Sequence, residues 1–214
     1  MKTSLLISTA TSLLLTVTSA TAANHTGFGG PSSTTDATAS SDWTGFYIGG
    51  SVGAATDGSF TVIIEPDETA FDANSHAPIG AFFGYQSQTD QFVIGAEYAV
   101  SAATAVTFED GTNEFVAAYG DLKVRAGYAA GPALFYGVAG VSAIVFDNDG
   151  NNTLDGVGFG YGVGADYAVS PNFFVGAEYF ARATEGDIFA GDLGTTSDGE
   201  IDVATITFRA AYKF

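Results

Sequence analysis

In the last stretch of the chain, Ile201–Phe214, one parity is apolar from Ala204 onward. Ala204, Ile206, Phe208, Ala210, Tyr212 and Phe214 hold one parity, and Thr205, Thr207, Arg209, Ala211 and Lys213 hold the other. Successive side chains of a β-strand point to opposite faces, so this alternation predicts a strand with one oily and one cationic face. The same sorting recurs upstream. It predicts strands over Trp43–Val52, Pro78–Gln86, Phe92–Val100, Val116–Tyr128, Leu134–Phe146, Gly158–Val169 and Phe173–Arg182, eight in all with the last stretch. Leu134–Phe146 is apolar on both parities, and Phe135, Ala139, Val141 and Val145 are assigned to its outer face. Tight turns are expected at Ser87–Asp90, Ala130–Pro132 and Ser170–Asn172, and long polar connections elsewhere.

Two architectures fit this pattern: a soluble up-and-down barrel with oil inside, and a transmembrane barrel with oil outside. The charges favour the second. Lys123, Arg125, Arg182, Arg209 and Lys213 all fall on the less oily parity, as do Glu97, Asp121, Asp166 and Glu178. A chance distribution would place about half of them toward lipid, where Lys or Arg costs ~2–4 kcal/mol at mid-bilayer. The fold class expected is therefore all-β, an eight-stranded antiparallel up-and-down transmembrane β-barrel, with the last strand closing onto the first to leave no free edge. Alternation of short turns with long loops is the asymmetry of outer-membrane barrels and places both ends of the barrel on the periplasmic side. Trp43, Phe46, Tyr85, Tyr128, Tyr167 and Phe173 then form a periplasmic aromatic girdle.

Residues 1–22 read as a signal peptide, with Lys2, an apolar run over Leu5–Val17 and the small-residue tripeptide Ala20–Ala22. Residues 23–41 are rich in Ser, Thr, Gly and Asn and read as a flexible linker, and residues 42–214 as the barrel domain. Asn24–Thr26 matches a glycosylation sequon, which matters only in a eukaryotic secretory route. Cysteine is absent, which excludes disulfides and cysteine metal sites. Six Lys and Arg against 24 Asp and Glu, a net charge of −18, exclude a nucleic-acid partner.

Trp43–Gly50, Gly162–Asn172 followed by Gly176–Tyr179, and the final Tyr212–Phe214 resemble the eight-stranded porin-family surface proteins of Gram-negative alphaproteobacteria, within the OmpA/OmpX type of barrel. The resemblance covers residues 42–214. It implies location in the outer membrane of a Gram-negative bacterium, among lipid and lipopolysaccharide. It also implies that Phe208, Tyr212 and Phe214 form the sorting signal read by the barrel-assembly machinery. The strand Asp121–Tyr128 departs from the family's usual Arg-x-Arg pair by reading Lys123-Val124-Arg125.

The nine inward charges, Glu97, Asp121, Lys123, Arg125, Asp166, Glu178, Arg182, Arg209 and Lys213, are expected to form a lumen network. Its readings are a structural polar core and a gated ion path, and the filled interior of an eight-stranded barrel favours the first. Seventeen acids are assigned to the four long loops, where no Lys or Arg occurs. Divalent-cation binding is one reading of them and a solvated surface the other. Asp147, Asp149 and Asn151 begin like a calcium loop, but Asn152 and Gly158 stand where Gly and an acid are wanted, so no metal site is assigned. No cofactor is expected. His25 and His76 are the only histidines. His76 beside Ser75 is the sole nucleophile–base candidate, and no enzyme activity is expected. The function expected is structural, with envelope integrity as its role, against the alternatives of a narrow ion-conducting porin or a loop-mediated ligand or adhesion protein. Ligand and oligomeric state are left open.

Overall fold

The computed structural model describes residues 41–64, 67–72, 77–107, 114–148, 152–190 and 195–214. The signal peptide, all of the linker but Ser41, the sequon, Ser75–His76 and residues 149–151 lie outside the described residues. Nine strands run in chain order: β1 (Gly45–Ile64), β2 (Asp67–Asp72), β3 (Ile79–Thr89), β4 (Phe92–Thr107), β5 (Glu114–Ala130), β6 (Ala133–Asn148), β7 (Asn152–Ser170), β8 (Phe173–Ala190) and β9 (Thr195–Lys213). Each pairs antiparallel with its neighbour, and β9 pairs with β1 from Tyr47↔Lys213 to Val62↔Gly199, which closes the ring. β2 and β3 both lie along the same side of β1 in one register, Ser59↔Asp72 above and Val52↔Ile79 below. They are two pieces of one strand, so the barrel wall is eight-stranded.

Three hairpins close one end with two residues each. Thr89 pairs with Phe92, Ala130 with Ala133 and Ser170 with Phe173. Asp90 (φ 56°) and Gly131 (φ 62°) adopt the left-handed conformation that such turns require.

The outer face is oily. Phe46, Ile94, Phe92, Phe159, Phe208 and Phe214 are each more than 60% exposed, while the cations are buried inside. On β9 the outward apolar run from Phe214 to Ala204 stops at Asp202; on β8 the run from Phe173 to Ala183 stops at Glu185; on β7 the run from Val169 to Val157 stops at Asp155. Glu114 and Asp147 hold the equivalent places in the sequences of β5 and β6. A run of about eleven residues at ~3.3 Å each, tilted ~45°, spans about 26 Å, the height of the apolar band of an outer-membrane barrel. The strands, up to 20 residues long, continue past it.

Beyond that boundary the pattern inverts. Ile201 and Val203 point inward while Glu200 and Asp202 face outward. Inward Ala103, Ala117, Tyr119, Ile144 and Phe146 join Ile201 and Val203 in an apolar cluster. Outside the membrane the wall thus follows the rule of a soluble protein. The expected strand ends fall short for this reason, and the acids correct accordingly. Twelve of the seventeen assigned to loops, Asp57, Asp67, Glu68, Asp72, Glu114, Asp147, Asp155, Glu185, Asp187, Asp198, Glu200 and Asp202, lie on strands. The other five lie outside the described residues.

Candidate functional site in the barrel lumen

Alternation along β4, β5, β7, β8 and β9 drives eight ionisable side chains into the middle of the lumen. Glu97, Asp121, Lys123, Arg125, Asp166, Glu178, Arg182 and Arg209 are each exposed by 6% or less. Four are cationic and four anionic, so the buried set is neutral. The larger group centres on Glu97. Its Oε2 accepts from Arg209 Nη2 at 2.5 Å and from the Tyr47 hydroxyl at 3.0 Å, and its Oε1 faces Lys123 Nζ at 2.8 Å. Lys123 also donates to Glu178 Oε1 at 2.6 Å. Glu178 Oε2 accepts from Arg209 Nη1 at 2.9 Å and from the Tyr136 hydroxyl at 3.0 Å. Arg125 spans the group, donating to Asp166 Oδ2 at 2.5 Å and reaching Glu97 Oε2 at 3.4 Å.

A second group sits farther from the short turns. Arg182 forks onto Asp121, Nε to Oδ1 at 2.9 Å and Nη2 to Oδ2 at 2.6 Å. Ser142 donates to Asp121 Oδ1 at 2.6 Å, and Arg182 Nη1 donates to Thr205 at 3.0 Å. The guanidinium groups also stack on rings: Arg125 lies 3.8 Å from the Tyr136 centroid, Arg209 4.1 Å from Phe82 and Arg182 4.8 Å from Phe180. Between the groups lies a cavity of about 30 Å³ lined by Glu97, Asp121, Lys123, Glu178, Arg182 and Arg209. That is room for bound water.

Interior glycines make room for the rings. A Cβ on Gly164 would stand 2.3 Å from the Tyr136 ring, and one on Gly84 would stand 2.5 Å from the Tyr47 hydroxyl. Apolar layers cover the charges on both sides. The Tyr119, Ile144, Phe146, Ile201 and Val203 layer lies at the end away from the short turns. Trp43, Tyr47, Val93, Leu134 and Phe174 fill the end of the short turns, with the Trp43 and Tyr47 rings each 5.6 Å from that of Phe174.

Two expected site residues are corrected. Trp43 does not belong to the lipid-facing girdle: at 2% exposure it stoppers the mouth from inside, its backbone N–H donating to Gln88 Oε1 at 2.9 Å. It shares the inward parity of Gly45 and Tyr47, the sequence signal that identifies its facing. Lys213 points inward but does not join the carboxylates. Its Nζ donates to the backbone carbonyls of Asp42 and Thr44, tying the start of the barrel to its end. Phe46, Tyr85, Tyr128, Tyr167 and Phe173 lie exposed on the outer face near the short turns, and Phe208, Tyr212 and Phe214 lie exposed on the outer face of β9. Sequence reasoning missed Gln86, which is fully buried in the wall with neither amide atom hydrogen-bonded. No metal-holding group of three or more His, Asp or Glu occurs among the described residues.

The profile of a family described as outer membrane protein beta-barrel domain matches residues 10–214. The fold is similar to the outer membrane protein OprG from Pseudomonas aeruginosa (TM-score 0.56, 15% identity, covering 84% of this chain and 99% of that one). It is also similar to Neisserial surface protein A (0.51, 15%, 80% and 98%) and to the outer membrane protease OmpT from Escherichia coli (0.50, 10%, 79% and 97%). At these identities the likeness is one of fold. No curated protein matches the chain.

Proposed function

Because the chain belongs to the outer membrane protein beta-barrel domain family, we propose that it is an integral outer-membrane protein with a structural, envelope-integrity role and a lumen closed to solutes. The observation that carries this reading is the layering of the interior. A neutral lattice of four cations and four anions lies between two apolar layers. A passing ion would exchange hydration for a dewetted aromatic constriction at each end, and fixed partners already neutralise the charges between. The lattice instead cross-links the wall, joining strands that do not pair with each other, and so stiffens the cylinder. In the same reading residues 1–22 direct export, and Phe208, Tyr212 and Phe214 present the sorting signal to the barrel-assembly machinery. Lipopolysaccharide meets the outward carboxylates above the apolar band. No catalytic step is assigned to the chain.

A narrow ion path is the second reading, and the 30 Å³ cavity between the charge groups is the observation in its favour. Planar-bilayer recording separates the two. A closed barrel gives no stable conductance steps from preparations whose heat-modifiable gel migration proves them folded. Large, stable steps from the same preparations reject the closed lumen.

A further inference from the structure

Among the described residues, the wall carries a strand edge that no neighbour pairs, at the end away from the short turns. The strand made of β2 and β3 keeps company with β4 only as far as Ile79↔Ala102. Beyond that point, among the described residues, β2 pairs with β1 alone and Ala103–Thr107 of β4 pairs with β5 alone. Pro78 marks the break. Gly53 donates to the Pro78 carbonyl at 2.9 Å, and proline has no N–H to return the bond. The phase of the ladder beside β2 follows from β9. The Phe214 N–H donates to the Phe46 carbonyl, so the even-numbered residues of β9 turn their peptide groups toward β1. The bulge between Ala55 and Asp57 makes Asp57, Ser59 and Thr61 their partners, which leaves Phe60, Val62 and Ile64 to bond β2. The peptide groups of Asp67, Thr69 and Phe71 therefore face β1, and those of Glu68, Ala70 and Asp72 face the free edge.

We propose that this edge docks an extended, cationic peptide as an added strand. Main-chain bonds to Glu68, Ala70 and Asp72 supply the docking, and charge supplies the choice of partner. β2 carries Asp67, Glu68 and Asp72 in six residues, and no Lys or Arg occurs anywhere between Thr3 and Leu122. Opposite charges facing across a strand pair attract and like charges repel. A second copy brings the same acids on the same edge and a net charge of −18, so self-pairing is opposed. The fitting partner is a segment of about six residues, roughly 20 Å long, with Lys or Arg alternating with β-branched residues. The inference does not use the closed lumen, since a conducting barrel would keep the same edge.

The test uses the full chain refolded into phosphatidylcholine nanodiscs and a fluorescein-labelled Lys–Val alternating heptapeptide. Its controls are a Glu–Val heptapeptide and a Lys heptapeptide of equal charge with proline at alternate positions. Anisotropy is expected to show the Lys–Val peptide binding at least tenfold more tightly than either control. Amide exchange at Glu68, Ala70 and Asp72 slows at least tenfold on binding. Ala70→Pro, which removes a donor only from the free edge, abolishes the preference over the proline control, whereas Ala70→Ser retains it. Should Ala70→Pro fail to give the folded band on gels, the Asp67→Asn/Asp72→Asn pair keeps the edge intact and is expected to weaken binding at least threefold. Equal binding of both cationic peptides, no binding, or a dimer by light scattering that Ala70→Pro dissolves would each overturn the proposal.

Discussion

Arg209 and Glu97 meet across the lumen at 2.5 Å although 112 residues separate them and their strands, β9 and β4, do not pair. Glu97 also serves Lys123 and Arg125, so it is the anion on which three buried cations depend. Glu97→Gln keeps the shape and leaves four cations facing three anions. A buried charge stripped of its partner costs about 3–5 kcal/mol. The folded, heat-modifiable band of Glu97→Gln is therefore expected to disappear at markedly lower urea than that of the parent. Glu97→Gln combined with Arg209→Gln restores neutrality and is expected to cost less than the two single changes summed. A strictly additive pair would show that the lattice does not act as a unit.

Trp43 is the only tryptophan, and it stoppers the mouth at the short-turn end from within. Its emission is expected to be blue-shifted and insensitive to brominated lipid, because the wall of the barrel separates its ring from acyl chains. Tryptophan in an interfacial girdle would be quenched strongly. Trp43→Ala removes the ring that packs on Phe174, a change that costs about 3–5 kcal/mol in a filled core. Its signature is faster exchange of the Tyr47 and Lys213 amides with little change at the external end.

The membrane half of this architecture was legible in the sequence because alternation and charge agree there. Phe208 and Tyr212 against Arg209 and Lys213 fix both the strand and its facing, and Glu97 with Lys123 follows the same rule. The external half was not legible for a physical reason. Outside the bilayer the rule changes sign, so Ile201 and Val203 turn inward and Glu200 and Asp202 outward, and the acids look like the end of a strand. The partners within the lattice were illegible too. Parity gives the face of a side chain but not its height, so it could not separate Lys213 at the mouth from Lys123 in the centre.

Gln86 is a liability in the wall. Its amide is fully buried, and neither its nitrogen nor its oxygen has a protein partner. An unsatisfied buried polar group costs about 1–3 kcal/mol, whereas an apolar side chain of similar volume loses nothing there. Gln86→Met is expected to raise the urea midpoint of unfolding. A lowered midpoint would mean that a tightly held water satisfies the amide, and that the water belongs to the native structure.

Acidification should act oppositely on the two ends of the barrel. Asp202 lies on the outward face of β9, at the end of the barrel away from the short turns. Desolvation raises the Asp202 carboxyl above its ordinary value of 3.8. A raised acid binds protons more readily in the folded state, so stability grows as pH falls through the folded value and levels off below the unfolded one. At the short-turn end the Thr44 backbone N–H donates to Asp42 Oδ1 at 2.8 Å and holds that carboxyl below its ordinary value. A depressed acid contributes stability that is present above the unfolded value and lost as pH falls through the folded one. Amides of Gly199–Val203 are therefore expected to gain protection as pH drops from 7 toward about 4, the span in which a raised carboxyl takes up its proton. The mouth around Thr44 and Lys213 loosens only below the usual carboxylate range. Asp202→Asn flattens part of the external gain and leaves the mouth unchanged. Equal pH profiles at the two ends would show that net charge, and not these two carboxyls, governs the response.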